Sequence, residues 1–187
     1  MITLNFNPFP EIETKRLFLR RLTVEDAPEV LALRSNPITM QYVPRPLCKD
    51  FDGAIEHINL INSNIDKNTG INWAITIKGE PKMIGIIGHY KISCENFRSE
   101  IGYMILPEHN GKGYVTEAVN AMLDYGFNIL NLHSIEAIID PNNRGSERVL
   151  QKNSFVKEAH LVENEFYDGK FLDNIIYSIL KRNYTKS

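Results

Sequence analysis

Gly111, Lys112 and Gly113 stand immediately before a segment of helical periodicity, and residues of these types at this spacing suit an anion. Glycine lets the backbone turn tightly and approach a ligand with no side chain in the way. A helix N-terminus offers unpaired N–H groups and a partial positive charge, which together bind a group such as a pyrophosphate. Lys112 adds a full positive charge, and Tyr114 and Val115 open the helix behind it. A plain helix-entry turn uses the same letters, so the loop alone does not decide. Other phosphate motifs fail: Gly111, Gly113 and Thr116 do not complete G-x-G-x-x-G, and no G-K-S or G-K-T follows a four-residue spacer.

The loop must be positioned by what flanks it. Ser99 to Leu106 reads as a strand buried on both faces, with Ile101, Tyr103 and Ile105 on one side, Met104 and Leu106 on the other, and Pro107 as its stop. From Gly113 to Leu130, Val115, Ala118, Val119, Met122, Gly126 and Ile129 recur at helical spacing. Upstream, residues 1 to 13 read as an irregular lead-in, and TKRLFLRRL from Thr14 as a first strand. Thr23 with Asp26 resembles an N-cap pairing for a helix that ends before Asn36 and Pro37. Residues 38 to 50 read as a loop, and Asp50 or Asp52 caps a second helix carrying Ile55, Ile58, Ile61 and Ile65. Strands at Asn72 to Lys78 and Met83 to Ile92 precede the central one, their short connections favouring an antiparallel meander. His133 to Ile139 follows as a strand parallel to the central one, then a short helix from Asn143 to Lys152. Val156 to Glu165 and Phe171 to Leu180 close the chain as a hairpin turning at Asp168-Gly169.

The run SEIGYMILPEHNGKGYVTEA resembles the coenzyme A pyrophosphate loop of the GNAT superfamily of N-acetyltransferases, and is most similar to the branch of ribosomal-protein N-terminal acetyltransferases. RLFLRRLTVEDA, NNRGSERVLQKNSF and DNIIYSIL resemble further segments of that branch, so the resemblance covers nearly the whole chain. It departs at Asn153 and Ser154, where the family places Gly before Phe155. Asn tolerates the left-handed conformation a C-cap needs, so the turn survives with a shifted register. The resemblance implies an α/β (α+β) fold with a mixed, mostly antiparallel sheet of about seven strands and about four helices, splayed between strands four and five. Acetyl-CoA is then the cosubstrate, with no metal.

Acetyl transfer needs a held coenzyme, a polarised carbonyl, a neutral amine and an exit for the thiolate. The resemblance places coenzyme contacts at Met104, Ile105, Leu106, Gly111, Lys112, Gly113, Tyr114, Val115, Asn143 and Ser146. Backbone N–H groups of Met104 to Leu106, freed by the splay, would face the thioester. Glu100 is the first candidate for the base, acting directly or through a water, its alternative being a strand carboxylate paired with Arg98 or solvent. Ser146 could donate to the departing thiolate, while Asn143 also suits an N-cap. His89 is a second candidate for the base, although a lone strand histidine is more often a satisfied structural group; Glu117 reads as a first-turn carboxylate, and Tyr103, Tyr125 and Tyr177 as core aromatics. The acceptor is an amine, most simply a protein N-terminal α-amine. A small-molecule amine or a non-catalytic acyl-CoA module are the alternatives.

At 187 residues the chain is expected to form a single domain spanning 1–187 with one core. Its net charge of -2 argues against a nucleic-acid partner. No apolar run approaches the ~20 residues that span a bilayer, and MITLNFNPFP lacks the basic and apolar parts of a secretion signal, so a cytoplasmic monomer or homodimer is expected. Cys48 and Cys94 lack metal-like spacing and read as reduced thiols.

Overall fold

The computed structural model describes residues 1–185. The strands are β1 (Ile12–Glu13), β2 (Leu17–Arg20), β3 (Ile71–Ile77), β4 (Met83–Ser93), β5 (Arg98–Ile105), β6 (Ser134–Ile139), β7 (Val156–Tyr167) and β8 (Lys170–Leu180). The helices are α1 (Ala27–Ser35), α2 (Pro37–Met40), α3 (Phe51–Asp66), α4 (Tyr114–Asp124) and α5 (Arg144–Lys152). All eight strands form one sheet in the order β1-β2-β3-β4-β5-β6-β8-β7. The expected mixed, mostly antiparallel sheet is present, and β5 and β6 are its parallel pair among the described residues.

That pair is short. β5 and β6 are in register only from Arg98 opposite Ser134 to Glu100 opposite Glu136. Beyond Glu100, β5 continues beside β4 as far as Ile105, while β6 continues beside β8. The sheet is therefore open between strands four and five of the expected order, which become β5 and β6 because of one added strand. That strand, β1, comprises Ile12 and Glu13 within the lead-in, and its two residues are too few for a period-2 pattern to register. The lead-in is also anchored further upstream, by buried Phe6 and by Trp73 donating from Nε1 to the Pro10 carbonyl at 2.6 Å. The four-residue α2 falls where a loop is expected, because Asn36 caps it, accepting from Ile38 N at 2.8 Å, and Pro37 presets its first turn.

Helices cover both faces of the sheet. The face of Asn72, Ile84, Ile86 and Tyr90 carries α1 and α3, whose Val30, Leu33, Ala54, Ile58, Ile61 and Ile65 are buried. Asp50 caps α3, accepting from Gly53 N at 2.9 Å, and Thr23 N–H donates to Asp26 at 2.9 Å ahead of α1. The face of Trp73, His89 and Ile101 carries α4 and α5. α4 stops short of the expected Leu130: residues Tyr125–Ile129 form a π turn, with Leu130 N–H bonded to the Tyr125 carbonyl at 3.0 Å. Gly126 there presses onto the sheet so closely that a Cβ would sit 2.7 Å from Ile135 Cδ1 and 3.0 Å from His89 Cε1. Among the described residues, no helix is long and apolar enough to cross a membrane, and no cluster of His, Cys, Asp and Glu could hold a metal.

Candidate active site

Gly111 and Gly113 both adopt left-handed backbone, at φ 73° and 80°, which a side chain would strain. Gly113 is the N-cap of α4. Nothing lies within 4 Å of a Cβ built on Gly111, so the loop's outer side is open to a ligand. Lys112 is exposed, and Tyr114 and Val115 are half-buried against the core. The loop is fastened from below by a residue 101 positions before Glu117. Arg16 donates from Nη1 to the Lys112 carbonyl at 2.9 Å and from Nε to Glu117 at 2.6 Å, and its Cζ lies 4.7 Å from the Tyr114 ring centroid. Glu117 also accepts from Thr14 Oγ1 at 2.6 Å and Arg16 N at 2.7 Å. Burial pushes the Glu117 carboxyl up, but these hydrogen bonds and the Arg16 charge together hold it below its ordinary value.

The opening beside β5 exposes backbone, and alternation decides which amides. Leu106 N–H bonds the Ile84 carbonyl on β4 at 2.8 Å, so even-numbered residues of β5 direct their amides to β4. The amides facing the opening are those of Tyr103 and Ile105. Of the Met104 to Leu106 stretch expected to present free N–H groups, Ile105 does so, whereas Leu106 is already bonded and Met104 points the same way as Leu106.

Side chains divide by the same parity. Glu100 and Met104 project on the α1/α3 face, Tyr103 and Ile105 on the α4/α5 face. Glu100 is not paired with Arg98. Lys91 Nζ lies 2.7 Å from its Oε2, while Arg98 reaches Glu136 at 2.5 Å. Lys91 adopts φ 45° where the β4–β5 register shifts between Tyr90 and Ser93, and that bulge re-aims it. On the opposite face, Tyr103 is not merely a core aromatic: its hydroxyl lies 2.7 Å from Ser146 Oγ. Asn143 caps α5, its Oδ1 accepting from Ser146 N at 3.0 Å. Glu100 and Ser146 thus stand on opposite sides of β5 where β6 departs from it. The buried Tyr125 and Tyr177 are core residues, Tyr177 with its hydroxyl 2.9 Å from Glu147.

His89 is fully buried, with Nδ1 2.8 Å from Ser99 Oγ and Nε2 3.1 Å from the Met122 carbonyl. Burial pushes its pKa down to about 4, against the carbonyl bond that favours the charged form. It is a neutral structural group. Sequence reasoning missed Arg16, Lys91 and the partnership of Tyr103. For Tyr103 the signal was available in its alternation with Ile101 and Ile105, which fixes its face.

The model of the acetyltransferase (GNAT) domain family matches residues 16–156. The uncharacterised N-acetyltransferase p20 of Bacillus licheniformis is 37% identical over 171 residues, covering 91% of this chain and 96% of that protein. The crystal structure of spermidine N-acetyltransferase from Vibrio cholerae in complex with CoA and spermine is 30% identical, with a TM-score of 0.80 over 91% of this chain and 99% of that one. A ribosomal-protein-S5-alanine acetyltransferase from Vibrio fischeri, 23% identical with a TM-score of 0.79, covers 94% of this chain and 99% of its own and shares the fold. With its open sheet, glycine loop and family match all in agreement, this chain belongs to the GNAT acetyltransferase family, and is an acyltransferase whose donor is acetyl-CoA.

Proposed function

We propose that residues 1–187 act as one N-acetyltransferase unit, working in the cytoplasm on a protein N-terminal α-amine. One observation carries the reading: β5 places Glu100 on one face and the Tyr103–Ser146 pair on the other, at the point where β6 parts from it. Acetyl-CoA supplies the acetyl group as a thioester. Backbone N–H groups from Gly111 to Val115, with Lys112, bind its pyrophosphate. The Tyr103 and Ile105 amides donate to the carbonyl oxygen as negative charge develops, a contribution worth roughly 3 to 4 kcal/mol in comparable sites. Glu100, directly or through a water, takes the proton of the incoming ammonium. Ser146 donates a hydrogen bond to the departing sulfur, which leaves as the thiol with the second proton released by the attacking nitrogen, and Asn143 holds the turn that presents Ser146.

An α-amine with pKa near 7.7 to 8.0 is about 10 to 20% neutral at pH 7, and a lysine about 0.04%. Deprotonation therefore costs roughly 1.2 kcal/mol for the first and roughly 4.6 for the second, so one carboxylate suffices for an α-amine. The similarity to spermidine N-acetyltransferases favours a polyamine as the second reading. Half-buried Arg34, whose charge acts on Tyr90 and which makes no ion pair among the described residues, opposes a polycation on that face. The test offers acetyl-CoA with three acceptors: peptides with a free N-terminus and no lysine, N-terminally blocked peptides containing lysine, and spermidine. Mass spectrometry showing acetyl on the first set supports an N-terminal acceptor. Acetylation of spermidine alone establishes the polyamine reading instead.

A further inference from the structure

We propose that Arg16 and Glu117 form a clamp that shapes the coenzyme loop, so that Glu117, an acid beside an anion site, strengthens coenzyme A binding. The inference rests on the reading that Gly111 to Val115 hold the pyrophosphate. The opening motif RLFLRRL has no part in the chemistry above, yet its first residue reaches the loop with three separate groups. Arg16 Nη1 takes the Lys112 carbonyl at 2.9 Å, Nε takes Glu117 Oε2 at 2.6 Å, and the guanidinium lies over Tyr114. Its Nη2 stands 3.3 Å from the position of a Cβ on Gly113.

The consequence follows from peptide planarity. In a trans peptide the C=O of one residue and the N–H of the next point in opposite directions. With the Lys112 carbonyl held on Arg16, the Gly113 N–H is directed away from Arg16. Arg16 can do this only while it is itself held, and Glu117 holds it. That carboxylate accepts from Arg16 Nε, from Arg16 N at 2.7 Å and from Thr14 Oγ1 at 2.6 Å, and its side chain is 18% exposed against 43% for Arg16. The His109 ring, centred 6.2 Å from that of Tyr114, adds a further contact to this ring. Glu117 spends its charge on Arg16, and Lys112 remains for the ligand.

Two simpler roles predict differently. An ordinary surface ion pair between α4 and the turn before β2 would leave coenzyme affinity unchanged. A carboxylate acting only through its charge would repel the pyrophosphate, so its removal would tighten binding. The experiment measures coenzyme A dissociation constants by calorimetry for the wild type, Glu117→Gln, Arg16→Gln, Arg16→Lys and the Glu117→Gln/Arg16→Gln pair, with circular dichroism of each free protein. Glu117→Gln should weaken binding about tenfold. Arg16→Lys, which keeps the charge but not the fork, should weaken it comparably, and the pair should be no weaker than Arg16→Gln alone. Unchanged or tighter binding by folded Glu117→Gln overturns the clamp, as does full affinity in Arg16→Lys. If folded Gly113→Val binds coenzyme A like the wild type, the loop is not the coenzyme site and the parent reading falls with the clamp.

Discussion

The Tyr103 hydroxyl lies 2.7 Å from the Ser146 hydroxyl, so the strand that borders the opening and the helix that follows β6 meet through these two side chains. Burial pushes the Tyr103 phenol up to about 12, more than the bond to Ser146 pulls it down, and at neutral pH the phenol keeps its proton. It can donate that proton to Ser146 Oγ and leave the serine O–H free to turn toward the leaving sulfur. Tyr103→Phe should lower kcat about tenfold with the KM for acetyl-CoA little changed, and Ser146→Ala should do at least as much. Steady-state kinetics on both and on the double variant are the check: losses that simply multiply would show that Tyr103 does not act through Ser146.

Glu100 is the carboxylate that β5 itself carries on the α1/α3 face, and Lys91 is its ion-pair partner. That lysine side chain is 73% exposed, so it can swing aside for an incoming amine. Glu100→Gln should reduce turnover by about 10² or more while leaving coenzyme A affinity as it was. Turnover within a few-fold of wild type would reduce Glu100 to a partner of Lys91.

The elements nearest the chemistry were the most legible, because each rested on several letters at once. Pro107, the paired glycines and the helical repeat from Val115 together dictate strand, loop and helix. What escaped depended on contacts between distant segments. No pattern in a sequence links Arg16 to Glu117, and the bulge that turns Lys91 onto Glu100 is a departure from strand periodicity rather than an instance of it. The same holds for the π turn at Tyr125, where close approach of Gly126 to His89 and Ile135 overrides a regular α-helical repeat. The alternative that pairs Glu100 with Arg98 is not realised, because Arg98 is taken by Glu136 on the adjacent parallel strand and Glu100 by Lys91.

The turn after α5 shows how the chain manages without the family's glycine. Ser154, not Asn153, takes the left-handed conformation, at φ 64°. Phe155 N–H bonds the Leu150 carbonyl and Ser154 N–H that of Gln151, each at 3.0 Å, which closes the helix as a glycine would. Asn153 instead donates from Nδ2 to the carbonyls of Val149 at 2.9 Å and Thr116 at 3.3 Å, tying α5 to α4. A left-handed non-glycine residue costs about 1 to 2 kcal/mol, and glycine returns part of this as backbone entropy. Ser154→Gly should therefore stabilise the protein by about 0.5 to 1 kcal/mol, seen as a rise of roughly 1 to 4 °C in Tm. A lower Tm would mean that the Ser154 side chain makes a compensating contribution.

Acid should weaken the fold before its carboxylates titrate, and His89 is the reason. With the Met122 carbonyl at Nε2, that nitrogen must carry the proton, and Nδ1 accepts from the Ser99 hydroxyl. A second proton would force the Ser99 hydroxyl to turn round and accept from Nδ1, and would place a full charge in a site whose burial penalises it. Its folded pKa is pushed down to about 4, from about 6.5 when unfolded. Between those values the unfolded chain binds a proton that the native one does not, so stability falls as pH falls through this window. The full effect is about 3 kcal/mol, reached near pH 4, at a slope of up to about 1.4 kcal/mol per pH unit. His57, pushed down to about 4 by burial and then by Arg34, contributes in the same direction. Glu117 behaves oppositely in timing: its lowered pKa adds stability that is lost only once pH drops below the ordinary carboxylate range. Urea unfolding followed from pH 7 down to about pH 4.5 should show the decline beginning near 6.5. His89→Gln should be less stable at pH 7 and decline less steeply, and an equal slope in the variant would assign the acid sensitivity to other groups.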